Sequence, residues 1–241
     1  MIEKAIQHYL DKNNFSRLKP KAVFFDMDGV LFDSMPHHAV AWEKAMNEQG
    51  LPFTQHEAYM HEGQPGADTV NHVFKKLHGR ESTHEERTRI YDLKGNYFAE
   101  LGDPQPMEYA YEMLKKLKDE GFLLFVVTGS AHALLLNSIQ QAFPDIFEEN
   151  NVISAFEVKK GKPNPDPYLK ALEKSGCEPW EAVVVENAPF GVQSSSTARI
   201  FTIGINTGPL DKDVLTKYGA DIVLDGMQEL YDKWDSFNFQ N

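Results

Sequence analysis

The sequence predicts an α/β fold: a doubly wound, mostly parallel sheet interrupted by an inserted α-helical cap. Three observations predict it. Short apolar runs alternate with stretches whose apolar residues recur at helical spacing, the signature of βαβ units. Three of those runs end on a carboxylate or hydroxyl (Asp26, Thr128 and Glu186), and in open parallel sheets ligands sit beyond the carboxyl ends of the strands. One stretch, about 37–100, breaks the alternation: it is rich in His, Glu, Lys and Gln and carries no strand pattern.

The elements follow in order. Ile2, Ala5, Ile6, Tyr9 and Leu10 mark one face of an amphipathic helix within residues 1–17. KAVFFD (21–26) is a short apolar run ending in a carboxylate, as a buried parallel strand reads. Val40, Ala41 and Ala45, then Val70, Val73, Phe74 and Leu77, keep helical spacing through the insertion. After GDPQP (102–106) the alternation resumes with a helix stripe at Ala110, Met113, Leu114 and Leu117 and a strand at FLLFVVT (122–128). A helix over about 131–142, a short strand at VISAF (152–156) and a helix after KPNPDP come next. AVVVE (182–186), IFTIGI (200–205) and DIVL (221–224) complete the strands. The expected division is a core of residues 1–33 plus 104–241 and a cap of residues 34–103.

Acidic residues outnumber basic ones 36 to 24 in the 241-residue chain, a net charge of −12. Nucleic-acid phosphates are held mainly by Lys and Arg, so this balance argues against a nucleic-acid partner. It also repels an anionic substrate, so a phosphate-handling site here needs a metal and a few placed cations. No apolar run approaches the roughly 20 residues needed to span a bilayer. The first residues lack the apolar core of a secretory signal. The single Cys177 excludes an internal disulfide and a cysteine-built metal cluster. A monomeric, cytoplasmic protein without membrane or nucleic-acid partners is expected.

The strongest local signal is FFDMDGVLFDS (24–34). A strand ending in Asp-x-Asp-Gly sets two carboxylates two residues apart, and Gly29 permits a sharp turn. A calcium loop would need a Glu at its twelfth position, where this chain has His37. Phosphoryl transfer fits better.

With VVTGS (126–130), Lys162 of KKGKPNPDPY, and Glu186 and Asn187 of VVVENAPFG, the segment DMDGV (26–30) completes a set of four motifs in order. The sequence thereby resembles the haloacid dehalogenase (HAD) superfamily, in its β-phosphoglucomutase-like branch, over essentially everything after residue 20. The resemblance implies a Rossmann-like core under a helical cap. It implies Asp26 as a nucleophile that becomes an aspartyl-phosphate. Asp28 is implied as general acid and base. Thr128, with backbone N–H groups nearby, and Lys162 are implied as partners of the phosphoryl oxygens. The implied cofactor is Mg²⁺, held by Asp26, the main-chain carbonyl of Asp28, and Glu186 or Asn187. The chain departs from the family there, since Asn187 stands at a position commonly Asp.

The presence of Asp28 separates the chain from dehalogenases of the superfamily, which displace halide and lack a second aspartate. Mutases of this branch carry a cap loop resembling Lys-Gly-Val-Ser-Arg-Glu. Here the corresponding stretch runs from His61 to Asp68, with Gly66 at the arginine position, Glu62 at a cationic one, and Ala131 where mutases have a lysine after motif two. AYMHEG (58–63), VTGS and ENAP instead resemble an inorganic pyrophosphatase of the same branch. The small phosphorylated substrate expected is therefore pyrophosphate, hydrolysed to two phosphates. The alternatives are a β-phosphoglucomutase or sugar-phosphate phosphatase and, more remotely, a non-catalytic phosphate- or Mg²⁺-binding protein. Glu62 is expected to join the outer shell of Mg²⁺ when the cap closes. His38, Lys94, Gly129 and Ser130 are the further substrate-binding candidates. The other histidines show no zinc-ligand spacing.

Overall fold

The structure is a computed structural model. It describes residues 1–130 and 135–239, apart from the side chains of 135–137 and 149. Six strands, β1 (Ala22–Phe25), β2 (Leu123–Val127), β3 (Val152–Ile153), β4 (Ala182–Glu186), β5 (Phe201–Ile205) and β6 (Ile222–Leu224), form one sheet in the order β3-β2-β1-β4-β5-β6. Every pairing is parallel. Strands covered on both faces lose the polar alternation of a half-solvated sheet, and for that reason they read as unbroken apolar runs.

The pleat divides each strand between two cores. Val23 and Phe25 of β1 face a cluster built with α1 (Ile2–Asn13), α6 (Ala110–Asp119), α7 (Leu135–Ala142) and α11 (Met227–Lys233), through Tyr9, Leu114, Ile139, Leu230 and Trp234 among others. Ala22 and Phe24 face the opposite cluster, where Tyr168, Ala171 and Leu172 of α8 (Asp166–Ser175) pack. On the flank, α9 (Pro189–Thr197) and α10 (Lys212–Tyr218) meet through Val192 and Leu215. The expected apolar face of α1 is the face that packs, with Ile2, Ala5, Ile6 and Leu10 against the first cluster and Tyr9 inside it.

Between β1 and α6 lie α2 (Met35–Glu48), α3 (Gln55–Met60), α4 (Gly66–His78) and α5 (His84–Glu100), around a cluster of their own that includes Met46, Phe53, Val70, Phe74 and Ile90. Thr54 and Thr83 start α3 and α5 with reciprocal capping boxes to Glu57 and Glu86, which satisfy backbone donors at each helix start.

Two expectations need correction, and a third is described only in part. VISAF is a strand only at Val152–Ile153, because Ala155–Glu157 turns into a 3-10 helix whose Ala155 N–H reaches Ser130 O. Leu77, counted in the apolar stripe of α4, is 42% exposed in the helix's last turn. The helix expected over 131–142 is seen as Leu135–Ala142, and residues 131–134, Ala131 included, lie outside the described residues. Among the described residues no helix is long and apolar enough to cross a membrane.

Candidate active site

The strand order reverses at β1, whose neighbours are β2 and β4, and a crevice opens there at the carboxyl ends. Asp26 follows β1, Thr128 follows β2 and Glu186 ends β4, so the sheet itself gathers all three. Asp26, Thr128, Lys162, Glu186 and Asn187 are all buried.

Lys162 lies beneath the crevice, 1% exposed. Its ammonium donates to Asp26 Oδ1 at 2.5 Å, Glu186 Oε1 at 2.6 Å and Val127 O at 2.9 Å. A lysine this deep requires such partners, because an unpaired buried charge is expensive. The Tyr168 hydroxyl donates to the same Glu186 oxygen at 2.9 Å, and the Tyr168 ring lies beside the ammonium. Glu186 Oε2 accepts the main-chain N–H groups of Asn187 and Ala188 at the start of α9. Both carboxylate oxygens of Glu186 are thus engaged inside the protein. The sequence suggested Asn187 as a direct or near ligand with Glu186 beside it and left open which of the two touches the metal; their environments differ, since Asn187 Oδ1 is buried without a partner.

Asp28 sits on the turn after β1. Gly29 holds φ +80°, and a Cβ there would lie 2.1 Å from Asn187 Nδ2, so glycine is required for the turn and for the approach of Asn187. Asp28 Oδ1 accepts from the Ser34 hydroxyl at 2.6 Å and meets His38 Nε2 at 3.2 Å. Lys94 Nζ lies 2.7 Å from His38 Nδ1. An ammonium only donates, so Nδ1 accepts and the imidazole proton sits on Nε2, aimed at Asp28. Lys94, expected as a solvated or phosphate-reaching cation, is 5% exposed and flanked by the rings of Trp42, Tyr91 and Phe98.

The charges explain the titration behaviour. Burial raises Asp26, and Glu186 and Asp28 raise it further; Lys162 opposes them, and the carboxyl settles at about 8. Burial also raises Asp28, but the His38 ring beside it, hydrogen bonds from His38 and Ser34, and the charge of Lys94 outweigh it and hold the carboxyl at about 2. Burial brings Lys94 down to about 8.

Glu62 enters this crevice from the loop after α3. Burial, then repulsion from Asp26, Asp28 and Glu186, pushes its carboxyl far above the usual range, and a hydrogen bond from Asn187 only partly opposes this. Its Oε1 is buried without a partner. Asp26, Asp28, His38, Glu62, Lys94 and Ser130 line a cavity of about 80 Å³, and Gly129 borders it as well. Thr128 receives the Ser130 N–H on its hydroxyl at 3.0 Å. Every site residue named from the sequence therefore lies in or directly beneath one crevice. Tyr168 was missed; its signal was available, since a lysine buried among carboxylates needs donors to share them and Tyr168 follows six positions later on α8.

Fold and crevice define the class: a doubly wound α/β hydrolase whose site is roofed by helices inserted after the first strand. The chain belongs to the haloacid dehalogenase-like hydrolase family, whose model matches residues 23–205. It is 45% identical to a Bacteroides vulgatus protein of known structure provisionally described as a β-phosphoglucomutase, with a TM-score of 0.95 and coverage of 98% of this chain and 96% of that one. It is 29% identical to the phosphorylated carbohydrates phosphatase of Thermotoga maritima, over 83% of this chain and 92% of that protein. It is also 29% identical to hexitol phosphatase A of Escherichia coli, over 88% and 94%.

Proposed function

We propose that this hydrolase is a Mg²⁺-dependent phosphatase acting through an aspartyl-phosphate on Asp26, with inorganic pyrophosphate as its substrate. Glu62 carries the reading. A carboxylate aimed at Asp26, Asp28 and Glu186, with one buried oxygen unpartnered, makes sense where a cation will lie between them. Fully ionised, the four carboxylates would exceed the two ammonium groups, Lys94 and Lys162, by two negative charges, and the raised carboxyls of Asp26 and Glu62 avoid that excess by keeping their protons until a cation replaces them.

The donors present suit Mg²⁺. They are oxygens, as a hard cation prefers, and Asn187 Oδ1 and Glu62 Oε1 are orphaned and buried. No group of three or more His, Cys, Asp or Glu side chains gathers as a ligand set among the described residues. Mg²⁺ in phosphate enzymes commonly uses one or two carboxylates together with water and substrate oxygens. Asp26, the main-chain carbonyl of Asp28 and Asn187 would hold it, with Glu62 in its outer shell. When bound, it neutralises charge on the phosphoryl group.

Asp26 attacks one phosphorus of hydrogen pyrophosphate in line, a P–O bond forms to its carboxylate, and the bridging P–O bond breaks to release the other half as hydrogen phosphate, which keeps the substrate's proton. Asp28 accepts a proton from the water that then cleaves the acyl phosphate, restoring the carboxylate. Thr128 holds a phosphoryl oxygen throughout, while Lys162, whose N–H groups are taken by Asp26, Glu186 and Val127, orients Asp26 and offsets negative charge from beneath. His38 and Lys94 orient Asp28 and meet the leaving phosphate. Residues 34–103 act as a cap over residues 1–33 and 104–241, in a monomeric enzyme of the reducing cytoplasm that keeps its one thiol, Cys177, free and buried.

The size of the cavity supports a small leaving group. At about 80 Å³ it falls well below the roughly 300–1,000 Å³ of sites built for drug-sized ligands. Gly66, at the mutase arginine position, lies so close to Tyr91 that a Cβ would approach its ring to 2.3 Å, so this cap leaves no room for the side chain that grips a second phosphate. A sugar-phosphate phosphatase is the second reading, favoured by the activities of the relatives at 29% identity.

A substrate panel with Mg²⁺, spanning pyrophosphate, hexose phosphates and β-glucose 1-phosphate with its bisphosphate, separates them. Pyrophosphate is expected to lead in kcat/KM by tenfold or more, about 1.4 kcal/mol in the transition state. Glu62→Ala should depress pyrophosphate turnover far more than that of an aryl phosphate. A lead for hexose phosphates, or equal losses in the variant, would count against pyrophosphate.

A further inference from the structure

Three of the contacts that the segment Tyr59–Pro65, which carries Glu62, makes with the core fall on glycines. A Cβ on Gly129, just after β2, would lie 2.6 Å from the carbonyl oxygen of Gly63. On Gly161, before α8, it would lie 2.4 Å from Pro65 Cγ and 2.7 Å from Cδ. On Gly208, after β5, it would lie 2.9 Å from Tyr59 Cε1. Cβ atoms essentially never come within 3.0 Å of such neighbours. None of the three glycines has a positive φ, so their backbones would accept an L-residue. The close approach of the cap segment requires glycine at these positions; the turns do not.

We propose that Gly161 and Gly208, together with Gly129, are specificity-determining seats. Their bare backbones let the segment bearing Glu62 come down far enough to confine the site to a leaving group of phosphate size. The inference deepens the pyrophosphatase reading and rests on it for the identity of the small substrate. A methyl on Gly161 would hold Pro65 off by about 1 Å, the difference between 2.4 Å and an ordinary carbon–carbon contact. The same lift moves Glu62, three residues away, out of register and widens the cavity. Small substrates that need full descent lose their alignment, while bulkier ones gain room.

The test is a size exchange. Gly161→Ala, Pro65→Ala and the double variant are assayed with pyrophosphate and with p-nitrophenyl phosphate, alongside amide hydrogen exchange over residues 61–66. Since a misplacement near 1 Å costs on the order of 100-fold, Gly161→Ala should lower kcat/KM for pyrophosphate by about 10²-fold while the aryl phosphate moves by about threefold or less. Exchange over 61–66 should rise. In the double variant, where the alanine methyl fills the space of the missing ring, pyrophosphate turnover and exchange should return to the level of Pro65→Ala alone, a coupling that a purely local effect on Lys162 would not give. Gly208→Ala with Tyr59→Ala repeats the design away from Lys162 and guards against a misfolded first pair. Equal losses for both substrates with unchanged exchange, or losses that the partner substitution does not reverse, overturn the proposal. If the parent enzyme does not hydrolyse pyrophosphate, the substrate reading fails. The seats are then judged by exchange and by rescue on the smallest and the bulkiest phosphates it does cleave.

Discussion

Lys162 directs its three N–H groups at Asp26, Glu186 and Val127, and Tyr168 shares Glu186 with it. Removing one member of such a set leaves its partners buried and short of a bond. Tyr168→Phe is expected to lower global stability by about 1–2 kcal/mol, read as a lower urea midpoint at unchanged slope. Asp26→Asn retains the shape of the site and removes its nucleophile. Turnover should fall by at least about 10⁴-fold, and quenched-flow labelling should find no phosphoryl group on the protein. At this scale the sequence was informative wherever a motif sits at a strand end. Asp26, Thr128 and Glu186 converge because parallel strands bring their carboxyl ends to one edge. The approach of Glu62 to the site was expected from the cap-loop resemblance, but its depth was not legible, since residue spacing says nothing about how far a loop descends onto another part of the molecule. The caging of Lys94 was legible only in part: Tyr91 and Phe98 stand three before and four after it on α5, whereas Trp42 comes from α2.

The helices and strands depend on less visible seams. Asp221, just before β6, accepts the Thr202 N–H at 2.8 Å. Burial raises its carboxyl to about 6 from 3.8, against the pull of the Thr202 N–H, Lys12 and His8. The folded chain therefore holds this proton more tightly than the unfolded chain. Stability from this group is complete below about pH 4, declines as the pH rises towards 6, and stays reduced above that. Asp221→Asn keeps an acceptor for Thr202 and removes the buried charge. It should stabilise the protein by about 1–2 kcal/mol at pH 7, with the advantage vanishing below pH 4 in denaturation curves run across the range. Five of the six strands could be read as apolar runs to within a residue or so because each is buried on both faces. β3 was overextended: the apolar run continues through Ala155 and Phe156, but there the backbone turns toward the loop after β2, and Phe156 is left 76% exposed.

For the molecule as a whole, repulsion at the crevice adds to a net charge of −12. A cation that relieves it should stabilise the fold by mass action. At about 100 times its dissociation constant the gain is about 2.7 kcal/mol, and a chain of this length gains about 2–4 °C per kcal/mol. Melting curves with Mg²⁺ against EDTA should differ by several degrees, and Asn187→Leu should abolish most of the difference. The insertion after β1 was evident from the break in alternation. The closed pose was not, because it depends on contacts among glycines and a proline that no periodicity records.

Residues of α1 share one apolar cluster with Trp234, Phe237 and Phe239, on a seam where Tyr9 donates to the carbonyl of Arg199, the residue two before β5 begins. The C-terminal end of α1 and the last described residues thus come together at the pole where strands enter the sheet, opposite the crevice. A tether or fluorophore attached next to Phe239 would emerge behind the crevice, so the molecule can be anchored to a surface with its mouth facing the solution.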